Sequence, residues 1–207
     1  MEMTAQIALG VSLAACAGLR AWLPLLALGL ASRASENIEA ISRLGITLHP
    51  SLQWIDSTPA LVVFGIATVA ELLGDKFPAM DNVLDAIGTV LRPGAAALIL
   101  AALSSETSLG TAATLGLLIG VPSSLSIHFA KAGLRAGATT VTMGTFNFLI
   151  SIVEDVLCLA WILIAWLIPI GAAVVTLALV VVAVSLIVRR IQRRRSAGCE
   201  AFPHTAP

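Results

Sequence analysis

Six apolar runs long enough to cross hydrocarbon dominate this chain, at residues 5–31, 59–78, 82–104, 109–130, 145–167 and 169–188. A spanning helix needs about 20 mostly apolar residues. Hydrocarbon offers no water to pair with backbone N–H and C=O groups, so only helices and closed barrels cross it. A barrel would show alternating segments of about ten residues, whereas these runs are continuous. Composition agrees: 58% of residues are hydrophobic and 12% charged, against about 45–50% and about 25% in soluble domains. The expected fold is an all-α integral membrane protein of about six transmembrane helices.

Charged side chains inside these runs carry the functional information. A charge at mid-bilayer costs about 3 kcal/mol even on the lenient insertion scale, and such residues mark pathways or sites. They occur in a similar order twice. Gly18-Leu19-Arg20-Ala21, Glu71 with Asp75, and Pro93-Gly94-Ala95-Ala96 are followed by Gly133-Leu134-Arg135-Ala136, Glu154-Asp155, and Pro169 with Gly171-Ala172-Ala173. Glu71 falls about 18 Å into its helix from one end and Glu154 about 14 Å into its own from the other, at 1.5 Å per residue. Opposite approaches to the midplane are the pattern of inverted repeats. The chain therefore reads as a single membrane domain, 1–207, with a first repeat at 5–104, a second at 109–188 and a basic cytoplasmic tail at 189–207.

The candidate binding residues lie in three stretches. Glu71, Asp75 and Pro78 share one helix face, and Asp81, Asp85, Gly88 and Arg92 extend the polar stripe, with Lys76 beside it. For Asp75, Lys76 and Asp81 an ordinary turn of solvated charges is an equal alternative. His128, Lys131 and Arg135 follow Pro122-Ser123-Ser124-Leu125-Ser126; serines that satisfy a proline-kinked backbone are the plain alternative there. In the fifth run Asn147, Ser151 and Glu154 trace one face, with Asp155 adjacent. With Arg20 these form the candidate set for a transported species. Glu71 and Glu154 are expected to share a proton, a cation or Arg20 at the centre.

The order Gly18-Leu19-Arg20-Ala21-Trp22-Leu23-Pro24, Glu71-x-x-x-Asp75-Lys76-x-Pro78-x-x-Asp81, Arg92-Pro93-Gly94-Ala95 and Asn147-x-x-x-Ser151-x-x-Glu154-Asp155 resembles a family of small bacterial integral membrane proteins, domain of unknown function 4126. The resemblance covers roughly residues 5–188. It implies the architecture and the choice of residues, and no reaction.

Cation placement sets the expected orientation. Arg189, Arg190, Arg193, Arg194 and Arg195 follow the last run, and with that end inside, six spans place Lys76, Arg92, Lys131 and Arg135 there too, leaving Arg33 and Arg43 outside. This is the positive-inside pattern: a multi-pass protein of the bacterial plasma membrane with both termini cytoplasmic. The arginine run suits anionic lipid, not nucleic acid. Glu2, the lack of an N-terminal cation and Arg20 within the apolar stretch argue against a cleaved signal peptide. Residues 36–44 read as a short amphipathic helix, and Trp54 as an outer interfacial anchor. Cys16, Cys158 and Cys199 have no disulfide or metal spacing.

The expected function is a transporter or channel for an ion or small polar solute, with midplane carboxylates binding a cation or proton. One alternative is an intramembrane lipid-modifying enzyme in which Asp75, Asp81 and Asp85 hold a divalent cation; no catalytic motif supports it. The other is a non-catalytic assembly subunit. No cofactor is called for, and the identity of any metal stays open. The bilayer is the expected partner, and six short spans leave a homodimer open.

Overall fold

The computed structural model describes residues 2–39, 45–76, 78–142 and 147–200. All its elements are helical: α1 (Met3–Leu19), α2 (Trp22–Asn37), a 3-10 turn (Pro50–Asp56), α3 (Thr58–Gly74), α4 (Pro78–Ala102), α5 (Leu109–Leu115), a π turn (Gly116–Gly120), α6 (Val121–Thr142), α7 (Asn147–Leu167) and α8 (Pro169–Glu200). Three stretches are helical, long and apolar enough to cross a membrane: Leu109–Arg135, Phe148–Leu167 and Pro169–Arg189. The 3-10 turn and α3, bent at 58°, make a fourth if they cross together; Met3–Leu19 and Ala86–Ala102 are shorter apolar helices.

The run expected as one span at 5–31 is instead a hairpin of two helices. Its physical cause is Pro24. In a continuous helix that ring would clash with the carbonyl four residues back, at Arg20. Arg20 is extended (φ −137, ψ 117), and α2 restarts at Trp22, so Pro24 falls in a first turn where its missing N–H costs nothing. The two arms return to the same end of the molecule. Gln6, near the start of α1, bonds Gly45 and Thr47, and Ser105 bonds Gln6. Near the end of α2, Ser32 bonds Asp56 and Arg33 bonds Thr58. The tip at Arg20 lies at the opposite end of α3, beside Asp75.

α1 is the centre of the bundle. Residues 9–18 are all buried, and α1 packs against α4, α6, α7 and α8, while α2 packs chiefly on α3. A helix apolar on every face belongs in such a position. Small residues permit close crossings: a Cβ on Gly18 would meet the Ser124 carbonyl oxygen at 2.4 Å, and one on Gly116 the Ala97 carbonyl oxygen at 2.3 Å. By contrast α7 and α8 expose Val153, Val156, Leu157, Val174, Val181 and Leu186.

Other expectations shift with the helix ends. α6 runs to Thr142, so Arg135 lies two turns inside a helix that the sequence ended at 130. The first half folds as four helices and the second as α5 and α6, joined through the π turn, followed by α7 and α8. The halves thus differ in their first element, a hairpin against one long helix. Of the helix expected at 36–44, Glu36 and Asn37 belong to α2, and 40–44 lie outside the described residues.

Candidate functional site

The hairpin tip is where the buried charges meet. Arg20 is fully buried and reaches two helices at once. Its guanidinium pairs with Asp75 at the end of α3 and with Asp155 of α7. It also donates to the Ser151 hydroxyl at 3.0 Å and to the Glu71 backbone carbonyl at 3.3 Å. The extended backbone at residue 20 ends α1, and from there the side chain spans α3 and α7.

Asp75 is the hub. Its Oδ2 accepts from Arg20, lies 3.3 Å from Arg135 Nη2 and 3.5 Å from Lys131 Nζ. Its Oδ1 is buried with no hydrogen-bond partner. Lys131 and Arg135, one turn apart on α6, also hold Glu154 Oε2 at 3.0 and 2.9 Å. Lys131 donates further to the Leu19 carbonyl at 3.4 Å, one of the unpaired carbonyls at the end of α1. Desolvating such charges costs several kcal/mol each and is offset only by close pairing; here each carboxylate is shared.

Glu71 forms a second lobe. Its two oxygens accept from the Ala21 and Trp22 backbone N–H groups at 3.2 and 3.4 Å, at the positive end of α2. Arg92 lies 3.9 Å away. Behind it, Arg92 donates to His128 Nδ1. A guanidinium cannot accept, so the imidazole proton sits on Nε2 and points to the Thr89 hydroxyl at 3.3 Å. Gly88 admits this arrangement, since a Cβ there would stand 2.9 Å from Arg92 Cζ.

The two lobes open differently. At the mouth of the first, Lys76 lies 3.3 Å from Asp155 Oδ2, with side chains 28% and 17% exposed. Beside Glu71 lies a chamber of about 180 Å³, lined among others by Trp22, Ala67, Ala70, Leu84 and Gly88.

Of the residues singled out from the sequence, Arg20, Glu71, Asp75, Lys76, Arg92, His128, Lys131, Arg135, Ser151, Glu154 and Asp155 come together. The side chains of Asp81, Asp85 and Asn147 lie outside the described residues. One reading is corrected: Glu71 and Glu154 do not share one partner. Asp75, a candidate for which an ordinary turn was the equal alternative, stands between Arg20, Lys131 and Arg135 and is 4% exposed. Ser123 and Ser126 follow the plain alternative, bonding the backbone carbonyls of Ile119 and Pro122 at 2.7 Å. The Ala21 and Trp22 amides were missed. Pro24 was the available signal, because a proline four residues after an intramembrane arginine marks a helix start.

Among the described residues no group of three His, Cys, Asp or Glu side chains is placed to hold a metal ion. No curated protein and no solved structure matches the chain. The family described as Domain of unknown function (DUF4126) matches residues 7–189, and the chain belongs to that family.

Proposed function

We infer that this protein is a membrane transporter or channel for an ion or small polar solute, and that its pathway passes the hairpin tip. The observation that carries the reading is the placement of Arg20, Asp75, Glu154 and Asp155 at a helix break, between a partly exposed mouth and a chamber. Broken helices whose ends face polar groups at depth are how transporters build ion sites in a bilayer. Non-helical backbone at depth is tolerated where protein or water satisfies it.

In this reading α1–α2 is a re-entrant hairpin entering from the outer face. α7 leaves the charged end and α8 returns to it through the turn at Ile168, tied by the Trp161–Thr176 hydrogen bond. The arginines from Arg189 onward therefore emerge on the charged side, which the positive-inside rule makes cytoplasmic. The start of α1 then faces outward, which replaces the expectation of two cytoplasmic termini. α5–α6, α7 and α8 supply three crossings of a bacterial plasma membrane instead of six, and the α1–α2 and α3–α4 hairpins reach the charged level from the outer face. Relatedness of the two halves finds its support in Arg20 and Arg135, which both reach Asp75 Oδ2.

The enzyme alternative is weakened at Asp75, where a divalent cation would be repelled by Arg20, Lys131 and Arg135. An assembly role predicts a cluster that only holds helices together. Glu154→Gln separates the two readings, since it keeps the shape and removes the charge. Transport predicts that ion or proton flux in liposomes is lost while the variant remains folded and inserted. Unchanged flux beside an active wild type would end the transport reading.

A further inference from the structure

The sharpest geometry in the molecule is the grip on Glu71, and it has the form of an anion site filled from within. Two backbone N–H groups at the start of the sixteen-residue helix α2 hold the two oxygens of one carboxylate. Arg92 approaches the same carboxylate. A third donor stands beside it. The buried face of α3 runs Ala60, Phe64, Thr68, Glu71, Gly74. Phe64 stacks on the Trp22 ring, with centroids 6.0 Å apart, and Glu71 accepts from the Trp22 amide. Thr68 lies between them on that buried face, one turn before Glu71. It is 5% exposed, and its hydroxyl has no hydrogen-bond partner. Backbone amides, a hydroxyl and a guanidinium together are the donor set that binds anions.

We propose that Glu71 is a tethered stand-in for a small monovalent anion, and that protonation of Glu71 lets such an anion replace it at the start of α2. The proposal rests on the transport reading for its role and names the substrate class. With Glu71 ionised, the donors are satisfied and a second negative charge would be buried without compensation. With Glu71 protonated, the donors lose their partner, and one anion restores both hydrogen bonds and charge. The adjoining chamber of about 180 Å³ accommodates the displaced carboxyl group. One proton enters with one anion, so the step is electroneutral.

The groups that face Glu71 are Arg92 of α4, with His128 of α6 behind it; Arg20 at the tip; and Asp75 and Lys76 on its own segment. Beyond Arg20 stand Lys131 and Arg135 of α6 and Glu154 and Asp155 of α7. None of them occupies the Ala21 and Trp22 amides, so the exchange at those donors follows the charge on Glu71.

Bromide is the probe, with gluconate at equal ionic strength as the control, and the melting temperature of the purified full chain is the readout. For the wild type, apparent bromide affinity rises as pH falls, by up to about tenfold per pH unit, the limit for one linked proton. Glu71→Gln binds bromide with an affinity independent of pH. Adding Thr68→Val to that variant weakens bromide about fivefold, as one lost hydrogen bond of about 1 kcal/mol requires. A folded Glu71→Gln that ignores bromide, or a wild type whose bromide affinity does not change with pH, overturns the proposal. If Glu71→Gln does not fold, the wild-type pH slope decides alone. Flux is scored separately. Bromide binding of the expected form without proton or bromide flux sinks transport and leaves the anion site. Flux without such binding sinks the anion site and leaves transport.

Discussion

The two ends of the α1–α2 hairpin are held by opposite chemistry. At the open end the bonds are mostly neutral: Gln6 to Gly45 and Thr47, Ser105 to Gln6, and the His49 amide to the Ala102 carbonyl at 2.7 Å. At the tip they are ionic, and Arg20, Lys131 and Arg135 all lean on one oxygen of Asp75. Neutral bonds contribute about 0.5–1.5 kcal/mol each and fail one at a time. A shared buried carboxylate couples every partner it holds, so its loss strands several charges together. The open end is built as a set of separable contacts and the tip as one unit.

Removing the hub is the strongest way to break that contrast. Asp75→Ala leaves Arg20, Lys131 and Arg135 short of a partner, and breaking a buried ion pair costs about 3–5 kcal/mol. The expected outcome is a fall of about 6–20 °C in melting temperature, or failure to accumulate in the membrane. Adding Lys131→Met removes one stranded cation and should recover part of the loss, with a coupling of about 0.5–3 kcal/mol in the double-mutant cycle. Strict additivity would show that the tip, like the open end, is a sum of independent bonds.

Next in size is a steric change just above the tip. A Cβ at Gly18 would meet the Ser124 carbonyl oxygen at 2.4 Å, a contact that neither backbone can relieve without moving. Gly18→Ala should cost about 1–3 kcal/mol as overpacking. It should also weaken transport more than Gly116→Ala, which has as close a contact with the Ala97 carbonyl oxygen but lies far from the charges. Equal effects on transport would mean that only packing is at stake.

The helical class and the identity of the charged residues were legible because spanning length and intramembrane charge are local, costly signals. Depth and partnership were less so. The apolar run at 5–31 is long enough for one span, and hydropathy cannot tell one crossing from a hairpin whose first arm lies inside protein. Pro24 held that information in its clash with the Arg20 carbonyl. The hub at Asp75 was obscured for another reason. Next to Lys76 and before Pro78 it reads as an end-of-helix turn, and only the depth reached by α1 and α6 buries it. Pairings such as Arg20 with Asp155 depend on which helices pack against α1, a choice that small residues such as Gly18 permit without specifying.

At the open end, Gln6→Leu tests separability. The amide is 3% exposed and joins the Gly45 carbonyl, Thr47 and Ser105. Each of those lies near a turn where water replaces the lost partner, so the expected cost is about 1–2 kcal/mol, well below that at Asp75. Thr47→Val should add to it within about 0.5 kcal/mol if water relaxes both sites independently. A cost equal to that of Asp75→Ala would erase the distinction between the two ends.

The smallest effect is expected at the mouth of the tip, where the ionic chemistry meets solvent. Lys76 Nζ lies 3.3 Å from Asp155 Oδ2, and its side chain is 28% exposed; it also stands 6.0 Å from the Phe148 ring centroid. A pair so hydrated contributes about 0–1 kcal/mol, and salt screens it. Asp155 retains Arg20 when Lys76 is removed, so no buried carboxylate is stranded. Lys76→Met should therefore shift the melting temperature by no more than a few degrees at low salt and by almost nothing at high salt. A large, salt-insensitive loss would mean that the mouth is sealed and belongs to the same coupled unit as Asp75.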